Sequence, residues 1–357
     1  MTTPAIEKAV IDRLTKINKA KEKIEAGTTA VPEMMAHVPK YTGNKRPMSE
    51  VFDVKVTEMD HAVPVFKDTD WPESVRHLIP EVDPGYVFPI EALEESLAGL
   101  WHHHDNVFAH GPKGSGKSSL FHQICARQRI PFVRINCRLD MESSAIFGSI
   151  VFDPINGISW KDGPAAELAK TGGILCIDEI AQMPAGIAMS MQYMLERGGR
   201  VFLADKPGSS TEKTIVPHES FRLVATDNTQ LQGDNTGHYV GAQIQNEAML
   251  DRFGTTIELD YLSDKHERKV LKNRIPSLPD SWITDMLSIS KLVRTGYEKG
   301  TIQFTMSPRG LINWGEKAIY WGSLKRGFHI SFFSKLVETD QKLTAEIWKK
   351  VTSTELE

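Results

Sequence analysis

Eight consecutive residues, Gly111-Pro112-Lys113-Gly114-Ser115-Gly116-Lys117-Ser118, constrain this chain more than any other feature. They match the pattern G-x-x-x-x-G-K-[ST]. Its glycines let successive backbone N–H groups turn inward around an oxyanion, its lysine reaches β- and γ-phosphates, and its hydroxyl ligates Mg²⁺. The flanks agree with that reading. Residues 106–110 form an apolar run expected to be a buried strand, and a helical run opens at Ser119. The loop therefore lies at a helix N-terminus, where the macrodipole favours phosphate. A strand, loop and helix in this order belong to an α/β fold. Gly111, Pro112, Lys113, Gly114, Ser115, Gly116, Lys117, Ser118 and Ser119 are expected to hold a nucleoside triphosphate.

From Ile90 to Leu259 strand and helix signals alternate, as in a parallel sheet with crossover helices. The expected strands are Val107–His110, Phe132–Asn136, Gly173–Ile177, Phe221–Thr226 and Thr255–Leu259. Beyond Ser263 the signals are helical (Trp282–Lys299, Pro308–Tyr320, Ser331–Lys349), which predicts a small α-helical lid. Ahead of the core, Ile6–Ala26 reads as an amphipathic helix and 27–46 as a linker. The expected organisation is an arm at 1–46, a segment packed on the core at 47–89, the α/β domain at 90–262 and the lid at 263–357.

The chain has 357 residues, 40% of them hydrophobic, and a formal charge of −4, which argues against non-specific nucleic-acid binding. No apolar run reaches membrane-spanning length and no signal-like start appears, so a cytoplasmic protein is expected. Cys125, Cys137 and Cys176 lack metal-ligand or redox-pair spacing and read as buried free thiols. The run His102-His103-His104 reads as a polar helix end, because three consecutive histidines cannot face one ion from a regular helix.

Five further residues bear on phosphate chemistry. An apolar strand delivers Asp178 and Glu179 to its carboxyl end, where α/β sheets bind ligands. Asp178, with Ser118, would hold Mg²⁺, and Glu179 would polarise an attacking water. Asn228 follows the next core strand, either to bond that water or γ-phosphate or to cap a turn. Arg252 precedes the last core strand, as a surface ion pair or as a finger on a neighbouring subunit's nucleotide. Arg309 begins a lid helix with Pro308 in its first turn and could reach phosphate from the lid.

In order and spacing these residues resemble the AAA+ ATPases, and within them the MoxR and metal-chelatase branch. The resemblance runs from Val51 to Leu343 and rests on five stretches: Val82–Phe88, the phosphate loop, Leu195–Arg200, Gly233–Tyr239 and Met306–Arg309. It implies an AAA+ P-loop core followed by a helical lid. Gly111–Ser118 would be Walker A, Asp178 and Glu179 Walker B, Asn228 sensor 1, Arg252 the arginine finger and Arg309 sensor 2. By the same resemblance Asn136 would restrain the Walker B glutamate. It also places a branch-specific insert within Phe147–Gly163 and a hairpin at about Arg200–Pro217. Asp227 departs from the family, which has a small residue there, and an added carboxylate could disturb γ-phosphate sensing.

The resemblance implies a Mg²⁺-dependent ATPase ring, expected to be hexameric, that remodels a partner protein. Within the branch, the likeness is to motor subunits of ATP-dependent cobalt chelatases. Such a motor would work with a subunit carrying a metal-ion-dependent adhesion site and with a large corrin-binding subunit. Two other functions remain open: a MoxR-type chaperone with an unrelated client, and a nucleic-acid motor. The acidic balance and the lack of a basic-aromatic stretch argue against the last.

Overall fold

The computed structural model describes residues 44–56, 60–153, 157–229 and 247–356. The amphipathic stretch Ile6–Ala26 and the glycine-rich Gly233–Tyr239 lie outside them. The described strands are β1 (Asn44–Pro47), β2 (Ala62–Val65), β3 (Val107–His110), β4 (Phe132–Asn136), β5 (Gly148–Asp153), β6 (Gly157–Asp162), β7 (Gly173–Asp178), β8 (Val201–Phe202), β9 (Thr214–Ile215), β10 (Phe221–Asp227) and β11 (Thr255–Glu258).

Five strands form one parallel sheet in the order β11-β3-β10-β7-β4. The three central strands are buried at every position. Their near-continuous apolar sequences follow from this, since helices cover both faces of a parallel sheet. The edge strand β4 alternates instead, with Arg134 and Asn136 exposed. Strand ends differ from expectation by one residue. β7 and β10 run on to take Asp178 and Asp227 into the ladder, and β11 stops at Glu258. Leu259 still donates its N–H to His110 O at 2.8 Å.

Register decides what the sheet presents. Asp227 pairs with His110, Thr226 and Asn136 pair with Asp178, and Glu258 pairs with His110. The carboxyl ends of all five strands therefore converge, and the loops after β3, β7 and β10 open onto one place.

The segment ahead of the core packs on it. Met48, Phe52, Val63 and Trp71 share one buried cluster with the sheet, and Trp71 Nε1 donates to Arg129 O at 2.7 Å. Asn44–Arg46, expected in the linker, begin β1, which pairs antiparallel with β2. Before β3 the chain makes a π-helix at Ala98–His103, closed by His104 at φ 56°. His102 and His104 diverge there: the His102 ring lies against His61, while His104 Nδ1 meets the buried Arg222 guanidinium. All three cysteines are buried and unpaired.

Two hairpin-like additions leave the core, each where the resemblance placed one. β5 and β6 pair antiparallel and expose Ile150, Phe152 and Ile158. β8 and β9 pair around a short helix, Ser210–Lys213, capped by Ser209 and Glu212.

Five helices form the lid around a core of its own that includes Ile283, Met286, Leu311, Trp314, Phe328 and Trp348. The helix expected from Ser331 begins only at Glu338 and runs to Thr352; Ser331 instead ends a separate helix, Leu324–Ser331, and the 3₁₀ turn Phe333–Lys335 lies between the two. Phe332, Phe333 and Leu336 are all buried, with Phe332 and Phe333 both against Phe328. The helix ends where Phe332 takes non-helical backbone, φ −132° and ψ −59°, and the following 3₁₀ turn brings Phe333 inward as well. Glu338 and Asp340 then mark a new N-terminus.

Candidate active site

The cleft where the strand ends meet has a volume of about 1320 Å³. Its floor is the phosphate loop, one wall is the Glu81–Val87 strap, and the roof comes from the lid at Gln303–Thr305 and Ser307–Arg309. Three loop glycines have φ of 145°, 81° and 98° at Gly111, Gly114 and Gly116. A side chain is strained in that region. At Gly111 a Cβ would also run into the Leu259 carbonyl oxygen, and at Gly114 into Ser307 of the lid. Around Gly116 a Cβ would meet nothing. This residue caps the helix Lys117–Gln128 and leaves a hollow at the helix N-terminus. Ser115 Oγ is buried there without a hydrogen-bond partner. An open cradle with an unsatisfied hydroxyl fits a phosphate group.

The side chains around the hollow form one network. Lys117 Nζ donates to Gly111 O at 2.8 Å, to Pro112 O at 3.0 Å and to Asn228 Oδ1 at 2.9 Å. Burial lowers its pKa to about 8, against the opposing pull of Glu179, Asp227 and Asp178. Asn228 Nδ2 donates to Glu179 Oε2 at 2.8 Å, so one amide ties the loop lysine to the Glu179 carboxylate. Glu179 has φ 57° and ψ 47°, the left-handed region. Burial raises its pKa, partly offset by the bond from Asn228. Asp178 Oδ1 accepts from Ser118 Oγ at 2.6 Å, which places the two expected Mg²⁺ ligands side by side.

Other expected residues fall in different places. Arg309 is exposed and lines the cleft from the lid. Arg252 lies outside the cleft and bonds Glu196 Oε1 at 3.3 Å. It precedes β11, whose far end adjoins the phosphate loop, so the strand's length of about 13 Å for four residues stands between them. Asn136 is exposed and makes no bond to Glu179; that contact belongs to Asn228. Asp227 lines the same cleft, but its carboxylate is tied down. It is buried, accepts from Ala181 N at 2.8 Å and from Thr229 N and Oγ1 at 2.8 Å, and so braces the turn after Glu179 against the loop carrying Asn228.

Three contacts escaped the sequence reading. Arg134 of β4 pairs with Asp178; its spacing of two from Asn136 put both on one strand face. Arg274 of the lid pairs with Asp83 of the strap. Tyr261 OH donates to Lys113 O at 3.1 Å and lies 3.3 Å from Thr305 Oγ1, joining loop to lid. The last two pair residues far apart in sequence and had no local signal.

A sheet in this order, with its phosphate loop, acidic pair and amide on adjacent strand ends beneath a helical lid, defines an ATPase of the AAA+ class. Residues 106–253 match the AAA domain family, dynein-related subfamily. The aerobic cobaltochelatase subunit CobS of a Sinorhizobium species is 30% identical over 314 residues, which is 86% of this chain and 90% of that one. A protein of Staphylococcus epidermidis described only as uncharacterised is 26% identical over 64% of this chain and 83% of its own. Among solved structures, the Thermotoga maritima RuvB Holliday junction branch migration motor aligns at 16% identity and a TM-score of 0.44. That alignment covers 76% of this chain and 72% of that one. The chain belongs to the CobS family of AAA+ ATPases.

Proposed function

We propose that this ATPase is the Mg²⁺-dependent motor of a cytoplasmic cobalt chelatase, acting as a hexameric ring that remodels a partner carrying a metal-ion-dependent adhesion site. The extent of the likeness carries the reading: it spans 90% of CobS rather than the nucleotide-binding core alone. In this role Lys117 and the loop N–H groups bind the phosphates. Ser118 and Asp178 hold Mg²⁺, which supplies charge neutralisation on the phosphates. Glu179 takes the proton of the attacking water, oriented by Asn228. Arg309 contacts phosphate from the lid. Arg252, outside its own protomer's cleft, serves a neighbour's. Asn136, exposed at the end of β4, is given no restraining role in this reading, since the bond to Glu179 comes from Asn228.

The test is reconstitution of the purified chain with an adhesion-site subunit and a corrin-binding subunit. ATP-dependent cobalt insertion that fails with the Glu179→Gln chain is the expected result. Robust ATP hydrolysis without any insertion would instead favour a chaperone with another client.

A further inference from the structure

Asp178 already has more partners than a cation-binding carboxylate can keep. Its Oδ1 accepts from Ser118 Oγ at 2.6 Å and from Thr226 Oγ1, while its Oδ2 accepts from Arg134 Nε at 2.8 Å and from a second nitrogen of the same guanidinium. Both oxygens are occupied and the negative charge is matched. Arg134 stands on the adjacent strand, paired with Cys176 two residues before Asp178. The two side chains differ in access: Asp178 is 5% exposed and Arg134 46%. A carboxylate so deeply buried is costly without a cation. The guanidinium meets that need from the cleft side, and being half in solvent it is the partner able to leave.

We propose that Arg134 is the resident cation of Asp178: it holds this carboxylate while no divalent ion is present and competes with the ion for it. Metal entry then requires the guanidinium to withdraw. The inference rests on Asp178 as a Mg²⁺ ligand, as in the proposed function. Arg134 acts through Asp178 and is a positioning residue. The consequence is selectivity for the metal–nucleotide pair, because a free ion must displace two charge-assisted hydrogen bonds without phosphate to help.

The experiment measures the dissociation constant of fluorescent N-methylanthraniloyl-ADP in EDTA and in saturating Mg²⁺, on the full chain. The ratio of the two constants reports how much the metal contributes. Arg134→Ala should raise that ratio about tenfold over wild type, as loss of one charge-assisted competitor predicts. Arg134→Lys, which keeps the charge without the fork, should fall between and stands in if the alanine variant does not fold. A merely structural arginine would move both constants together, or only the melting temperature. A ratio equal to wild type in both variants overturns the proposal. Asp178→Asn separates the two levels. Its ratio should collapse toward one; if it does while Arg134→Ala leaves the ratio unchanged, only the competition is wrong. If Asp178→Asn keeps the wild-type ratio, the Mg²⁺ assignment and the competition fail together.

Discussion

Glu179 occupies left-handed backbone, φ 57° and ψ 47°, in a turn where Gln182 donates back to its carbonyl at 2.9 Å. A non-glycine residue held there costs about 1–3 kcal/mol, and the turn aims its carboxylate at Asn228. Glu179→Gln preserves shape and the amide contact, so it should bind ATP normally and lose at least about 100-fold in kcat. Equal turnover in variant and wild type would refute the assignment. The pH profile carries the same information. Burial raises the Glu179 pKa, so its reactive carboxylate is lost at a higher pH than an ordinary glutamate's as the medium is acidified. The Asn228 bond favours the charged form. Asn228→Ala should therefore move the acid limb of kcat further up in pH. Lys117, with its pKa lowered to about 8 in the nucleotide-free protein, acts instead on nucleotide binding. Above that pH the nucleotide-free lysine is increasingly neutral, and phosphate binding requires it charged. Nucleotide affinity should fall there, and calorimetry in buffers of different ionisation enthalpy should show proton uptake on binding.

Between elements, the Asp227 carboxylate bonds Ala181 after β7 and Thr229 after β10. Asp227→Ala removes the carboxylate that accepts from the Ala181 and Thr229 N–H groups and should cost about 1–3 kcal/mol in urea unfolding. kcat should drop as well, because Glu179 and Asn228 lose their shared brace. A second inter-element link sits in the lid. Arg294 pairs with Glu267 at 2.7 and 3.0 Å, both buried, and its Nε holds Met306 O at 2.7 Å beside the loop that leads to Arg309. Arg294→Met strands the Glu267 carboxylate and should destabilise the protein by about 3–5 kcal/mol. Adding Glu267→Gln should recover part of that loss. Neither link was legible beforehand. The helices and strands announce themselves by periodicity within ten or twenty residues, whereas Asp227 meets Ala181 across 46 positions and Arg294 meets Glu267 across 27. Local reading also missed a helix start: Phe332 and Phe333 pack inward in a turn where a helix beginning at Ser331 was expected.

For the whole molecule, the proposed ring would complete each cleft from a neighbour. Arg252 sits outside its own cleft, against Glu196. If it serves a neighbour, mixing Arg252→Ala chains with Glu179→Gln chains should restore hydrolysis at interfaces that combine an intact Glu179 with an intact Arg252. Mixed rings shown to form, yet without rescue, would exclude that geometry. The sequence alone determined the phosphate loop, because its glycines and lysine are needed in order along one short stretch whatever surrounds them. It also determined the three central strands, whose burial on both faces writes itself as continuous apolar runs. Only the tertiary structure decided which side chains share the site. Parallel pairing of strands distant in sequence brings Asn228 onto Glu179 in place of Asn136, turns Asp227 into a brace, and sets Arg134 on Asp178. Register across a sheet depends on every crossover between its strands, and no single segment of the chain encodes it.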